Sequence, residues 1–289
     1  MPGLEESLGE PKARLRYPNA KILSSLIDTL SELLEEASFT VTKDGVRAAG
    51  MDPAKVAYIE VLIPYANFME YDVKEEGLVI GANLSSLTRA LSGAKKNDVV
   101  TFLANESNLL IRIEGATPRT YLLPNLQVSS EVPEIKLEHT AHVKVISDAF
   151  KRALSDAGEF GDLVQLEATE DMFAVRAAAE KRVEAKFLSG SASLVLLEVK
   201  ERAVASYDFS YIDKVLSLAK VADSVDVQFK TDSPLELRFE SPSGLQVRYI
   251  LAPSAGGAPA AESRAEAKEE GEEEGAGEEE EGEEGSEEE

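Results

Sequence analysis

The chain offers little of the side-chain chemistry that makes or breaks covalent bonds. Its only histidines are His139 and His142. Three positions apart in an extended stretch, they project to opposite sides and do not build a shared metal site. Cysteine is absent, which removes a thiol nucleophile, a disulfide framework and thiolate metal ligands. Neither a G-x-x-x-x-G-K-S/T phosphate loop nor a G-x-S-x-G nucleophile turn occurs. The carboxylate pairs that stand out, Glu170 with Asp171 and Asp72 near Glu75, sit in turn-like surface stretches. The sequence therefore predicts a protein that is not an enzyme and needs no cofactor. What does recur is a set of cations on or beside helical patterns, opposite the apolar stripe: Lys21, Arg89, Lys95, Lys96, Lys151, Arg152, Lys214 and Lys220. Such cations form ordinary solvated helix faces or meet an anionic surface, and spacing alone does not choose.

Charge balance narrows the choice. The chain has 289 residues and a formal charge of −24. Residues 262–289 hold 16 acidic and 2 basic side chains, leaving 38 acidic against 28 basic before them. An acidic body binds nucleic acid only through a local patch. Hydrophobic residues make up 43%, enough for a buried core in a chain with room for about two domains. The first twenty residues show no apolar signal region, and no apolar run approaches the roughly 20 residues of a membrane span. A cytoplasmic protein without membrane contact is expected.

Four helices must position those cations. Asn19 caps the first, predicted over 20–37, with Leu23, Leu26, Leu30 and Leu33 on one face at helical spacing. Asn83 caps the second, over 84–95; Ser147 caps the third, through 157; Asp208 caps the fourth, over 209–222. Between them the period falls to two. Strands are predicted over 39–42 and 46–49 around an Asp44-Gly45 turn, then over 56–63, 67–71, 78–82, 99–103 and 109–113. In the second half they fall over 163–169, 172–177, 183–188, 194–199, 225–229, 235–239 and 246–251. The halves repeat: Asn83-Leu-Ser-Ser-Leu-Thr-Arg-Ala-Leu-Ser matches Asp208-Phe-Ser-Tyr-Ile-Asp-Lys-Val-Leu-Ser at an offset of 125. The expected organisation is α+β. A mobile leader covers 1–12, two similar domains cover 13–120 and 134–253, and an extended connector covers 121–133. A disordered acidic tail over 254–289 cannot bury a core.

Particular residues tie this plan to a known family. Gly45-Val46 leads to Gly50-Met51-Asp52, and Gly81-Ala82-Asn83-Leu84 opens the second helix. Pro234 precedes Leu235, and Tyr249-Ile-Leu-Ala-Pro253 closes the folded part. Over about residues 13–253 the chain resembles the proliferating cell nuclear antigen family, the DNA polymerase sliding clamps of archaea and eukaryotes. The resemblance implies a three-subunit ring around double-stranded DNA, near the nucleoid, with helices lining the hole and sheets outside. It makes the eight cations DNA-facing, with contact to the backbone alone and hence no sequence preference. One departure stands out: the first helix carries Ser24, Ser25, Asp28, Ser31 and Glu32 where the family carries lysines. The hole is therefore less positive than usual, and either a loader must close the ring or more basic sister subunits share it.

The resemblance also implies an outer pocket for a two-aromatic motif of DNA polymerase, flap endonuclease, DNA ligase and clamp loader. Carried over by position, its lining is Met51, Val56, Tyr58, Leu126, Val128, Val132, Pro133, Pro234, Tyr249, Leu251, Ala252 and Pro253. The subunit contact is expected between strand 108–113 (Asn108, Leu109, Leu110, Ile111, Ile113) and the strand carrying Val183, Ala185 and Phe187 of an identical or sister chain. Two other readings compete: an acidic-tailed chaperone for basic proteins, and a metal-dependent nuclease using scattered carboxylates.

Overall fold

A computed structural model describes residues 4–128, 135–177 and 183–254. The first half runs α1 (Leu4–Leu8), β1 (Ala13–Tyr17), α2 (Ala20–Leu33), β2 (Glu36–Val41), β3 (Gly45–Met51), β4 (Ala57–Pro64), β5 (Glu70–Val73), β6 (Leu78–Asn83), α3 (Leu84–Leu91), β7 (Val99–Ala104), β8 (Asn108–Glu114) and β9 (Arg119–Pro124). The second runs β10 (Ala141–Ile146), α4 (Ser147–Gly158), β11 (Leu163–Ala168), β12 (Met172–Ala177), β13 (Glu184–Leu188), β14 (Leu194–Val199), β15 (Ala203–Asp208), α5 (Phe209–Asp213), β16 (Ser224–Phe229), β17 (Leu235–Glu240) and β18 (Gln246–Leu251). A 3-10 segment, Leu216–Lys220, follows α5.

The strands form three antiparallel sheets. One has five strands, β5-β1-β7-β8-β9; one has four, β13-β12-β11-β15. The third has nine, β14-β10-β16-β17-β18-β4-β3-β2-β6. The nine-stranded sheet is itself a five and a four joined where β18 pairs with β4. The second half's five (β14 to β18) repeats the order of the first half's five, and the first half's four (β4 to β6) repeats that of the second half's four. The fold is therefore one plan executed twice, with one joint made inside the chain and its counterpart left open at β9 and β13.

Alternation sets which face of the long sheet is wet. Opposite residues of an antiparallel pair share a face. One row reads Val61, Val247, Phe239, Val225, Val145, all buried. The next reads Glu60, Arg248, Arg238, Asp226, Lys144. Each buried aliphatic or aromatic side chain contributes roughly 1.5–3 kcal/mol, so the helices take the first face and the polar face is left outward. Asn19, Asn83 and Asp208 cap as expected, accepting from the N–H of Ile22, Ser86 and Ser210.

Several expectations are corrected. Ser147 does not cap; it is the first residue of α4, and its buried hydroxyl has no hydrogen bond among the described residues. The first helix stops at Leu33 because Glu36 already pairs with Asn83 in β6. The second stops at Leu91, two residues before Gly93 turns left-handed at φ 73°. The fourth breaks into α5 and the 3-10 segment. Strands β1, β9 and β15 were not foreseen, and the strand expected over 67–71 forms at Glu70–Val73, after a 3-10 turn. The leader is anchored: Leu8 of α1 is buried against Leu103, Leu110 and Leu122. The connector loses its first four residues to β9 and begins at Asn125. The tail lies, apart from Ser254, outside the described residues.

Candidate functional site

The helices form one layer. α2 packs beside α3 and beside the 3-10 segment, which with α5 packs on α4. Thr29 and Ser217 hydroxyls meet at 2.7 Å across the join of the two halves. Beneath it Tyr249 donates to the carbonyl of Tyr211 at 3.0 Å, and Tyr211 to Asp52 at 3.2 Å. Burial alone would push the Asp52 carboxyl up, but the N–H groups of Ala57, Val56 and Ala54 outweigh it and hold the carboxyl below its usual range.

All eight candidate cations ride on this layer. Lys21 stands in the first turn of α2, Arg89 in the last turn of α3, and Lys95 and Lys96 in the turn after it. Lys151 and Arg152 are on α4, Lys214 ends α5 over the Tyr211 ring at 4.6 Å, and Lys220 ends the 3-10 segment. Among the described residues none of the eight makes a salt bridge, whereas the strand cations Arg14, Arg16, Arg47, Arg176, Arg238 and Arg248 all do. The same layer exposes Asp28, Glu32 and Asp213, so its positive charge is diluted.

The outer face assembles part of the expected pocket. Met51, Tyr58 and Ile250 fall in one cross-strand row over β3, β4 and β18, continued by Glu236. Val56, Pro234, Ala252 and Pro253 are half-buried nearby, with Val56 O accepting from Ala252 N at 2.9 Å. Tyr249 and Leu251 do not belong. Alternation turns both to the helix side, where they are fully buried, and Ile250 takes the outer position. Val132 and Pro133 lie outside the described residues. Leu126 and Val128 are placed by backbone: Leu126 N donates to Gly81 O at 2.8 Å, and Asn125 Oδ1 accepts from Gly81 N at 2.8 Å.

Beside this row a cleft of about 750 Å³ opens between Ile135–Leu137 and the sheet. His139 and His142, expected on opposite sides, both line it, because a bend at Thr140 breaks the alternation. Each holds a carboxylate: His139 meets Glu236 at 3.0 Å and His142 meets Asp226 at 2.6 Å. Among the described residues no group of three His, Asp or Glu could hold a metal ion. Glu236 also accepts from Arg248 at 2.8 Å and Arg238 at 2.5 Å. Burial opposes its charge, yet His139, Arg248 and Arg238 outweigh burial and keep the carboxyl far below the ordinary range.

The expected subunit strand is wrong on one side. Asn108, Leu109, Leu110, Ile111 and Ile113 belong to β8, which has β7 on one flank and β9 on the other. The open edge is β9. On the other side β13 is an edge: Ala185 is half-buried on it, Phe187 is turned to the core, and Val183 just precedes it. A repeat could have located β9: Tyr121-Leu-Leu stands opposite Ile111, Leu110 and Leu109 just as Tyr249-Ile-Leu stands opposite Leu237, Glu236 and Leu235.

Comparison with known proteins supplies the context. The family described as proliferating cell nuclear antigen, N-terminal domain, matches residues 13–116, so α1 precedes the match. DNA polymerase sliding clamp 1 of Aeropyrum pernix is 40% identical over 248 residues, 83% of this chain and 99% of that protein. The DNA polymerase sliding clamp of Thermofilum pendens is 32% identical over 240 residues, 82% of this chain and 97% of that protein. Among solved structures, PCNA of Thermococcus kodakaraensis superposes with a TM-score of 0.77 at 25% identity, covering 84% of this chain and all of that one. A chain of the PCNA2–PCNA3 complex of Sulfolobus tokodaii superposes at 0.78 with 26% identity and the same coverage. No helix among the described residues is long and apolar enough to cross a membrane.

Proposed function

The chain belongs to the proliferating cell nuclear antigen family and is a DNA polymerase sliding clamp, and from that premise we propose that its helical layer faces duplex DNA, its outer face receives client enzymes, and its open strand edges join two further subunits. One observation carries the DNA reading: among the described residues all eight cations of the helical layer lack ion pairs, while most cations of the sheets, Arg14, Arg47, Arg176 and Arg248 among them, are paired, Arg119 of β9 being the exception. An unpaired cation facing a phosphate releases condensed counterions; a paired one must first break its own bridge. Backbone contact carries no sequence information, so a closed ring holds DNA and still slides.

Clients, read as DNA polymerase, flap endonuclease, DNA ligase and clamp loader, insert apolar side chains at the row Met51, Tyr58 and Ile250, beside Leu126 and Val128. Gly81 keeps the near end of the connector in place. A Cβ there would lie 1.9 Å from Leu126 O and 3.0 Å from Val128 Cγ2. Gly81→Ala should therefore push the connector off β6. Calorimetry with a two-aromatic client peptide should show about tenfold weaker binding, ~1.4 kcal/mol of lost preorganisation. Parent-like affinity in that variant would move the pocket elsewhere.

The ring joint follows from the duplication. β9 corresponds to β18, and β13 to β4. Carrying the β18–β4 register across sets Thr120 opposite Glu184 of the next subunit, as Arg248 lies opposite Glu60 within the chain. The chain contains no cysteine, so a Thr120→Cys, Glu184→Cys variant has one designed pairing. Oxidation of the chain alone should give covalent dimers and trimers on a denaturing gel. Monomers only would mean a sister chain at this joint or a different edge. In this reading the clamp halves cover residues 13–124 and 134–253.

A further inference from the structure

We propose that α1 straps the subunit joint from outside, with Leu4 packed on β13 of a neighbouring copy of this chain; the inference rests on the β9–β13 joint proposed above. Residues 4–12 are fixed to the outer face of the five-stranded sheet. Leu8 fills a space over Leu103, Leu110 and Leu122, one cross-strand row ending at β9. Asn105 donates to Leu8 O at 2.5 Å, Glu5 pairs with Arg112, and Lys12 bridges Glu75 at 2.5 Å and Glu106 at 2.6 Å. A mere leader needs none of these bonds.

The chain holds a precedent for what such a segment does. The stretch leading into β10 lies over the internal joint. Arg248 of β18 donates to Ile135 O at 2.9 Å, and the cleft beneath Ile135–Leu137 is walled by Glu60 and Leu62 of β4 as well as Val247 and Arg248 of β18. In the duplicated order β1 holds the place of β10. The stretch leading into β1 therefore stands over the β9 joint as the stretch leading into β10 stands over the β18 joint. Among the described residues both sides of the gap carry exposed apolar surface. Leu4 is 47% exposed on α1, and Leu188 is 54% exposed on the outer face of β13. Lys186 on the same face offers its aliphatic stem.

Leu4→Ser in the full-length chain is the test, because an exposed side chain can change without unfolding the subunit. Sedimentation equilibrium should show about a tenfold rise in the concentration at which rings dissociate, the shift expected for ~1.4 kcal/mol of lost apolar contact. Leu4→Met should restore the parent value, and the melting of dissociated chains should be the same in all three. Unchanged dissociation in Leu4→Ser, while the Thr120→Cys, Glu184→Cys pair still cross-links, would leave the joint standing and remove the strap. A chain that neither self-assembles nor cross-links would remove both.

Discussion

Glu236→Gln should lower the unfolding free energy at neutral pH by about 2–3 kcal/mol, because the half-buried Arg248 and the more exposed Arg238 lose charge-assisted bonds to a buried carboxylate. Glu236 is 1% exposed and is gripped by His139, Arg238 and Arg248. The amide keeps the shape and loses the charge. Urea unfolding should show a lower midpoint with little change in slope, and the melting temperature should fall by about 10 °C. The sign with pH follows from the direction of the shift. The folded carboxyl titrates below its ordinary value of 4.5, so its contribution is complete above that value. It is lost as the pH falls from 4.5 toward the folded value. Glu167, held down by Arg176 and Arg202 against its own burial, adds acid sensitivity of the same sign. The parent should therefore weaken steeply below pH 4.5, and the variant less steeply. Equal midpoints at pH 7 would mean that the network carries no net stability. Because Arg248 also holds Ile135, the variant should loosen the segment over the internal joint and, with it, the neighbouring client row.

The helices and their caps were legible because their signals are local. Leu23, Leu26, Leu30 and Leu33 repeat at helical spacing, and Asn19, Asn83 and Asp208 each cap within three residues of themselves. The eight cations lie on or beside the helices for the same reason. What failed was non-local. β9 was hidden because Pro124 ends it and Pro133 follows, so the stretch reads as a connector. Proline is tolerated at the end of an edge strand, and β9 is an edge. Choosing β8 instead placed five residues of an internal strand at the surface. The closing motif read whole puts Tyr249 and Leu251 in the outer pocket. Alternation splits it, and only the register of β18 against β4 says which half faces the helices. That pairing joins residues from opposite ends of the body, a contact no local pattern encodes. Glu236 was missed because a lone glutamate in a strand looks like surface until Arg238, Arg248 and His139 converge on it.

DNA-dependent loading should collapse when Arg89, Lys151 and Lys214 are changed to alanine together. The three come from α3, α4 and α5 and so sample the whole helical layer. None makes an ion pair among the described residues, and Lys214 alone of the three makes a side-chain contact there, the 4.6 Å approach to the Tyr211 ring, worth about 0.5–1 kcal/mol. Folding should survive, which separates this loss from instability. Each phosphate neutralised contributes about 0.9 to the slope of log affinity against log salt. With one of the three cations in each of three subunits meeting a phosphate, the triple variant should lower that slope by about 3 and weaken binding of rings to nicked circular DNA by about a hundredfold near physiological salt. The effect is large because the layer has little charge in reserve: Asp28, Glu32 and Asp213 already oppose it, and α2 brings Lys21 as its only cation. The control is Arg47→Ala. That arginine sits on a strand and is paired with Glu60 at 2.6 Å, so its loss should leave the slope alone. An unchanged slope in the triple variant, or a reduced one in the control, would put the DNA against the sheets and not the helices. Replacing Asp28 and Glu32 with asparagine and glutamine should move the slope the opposite way, because fewer fixed anions then stand between the helices and the phosphates.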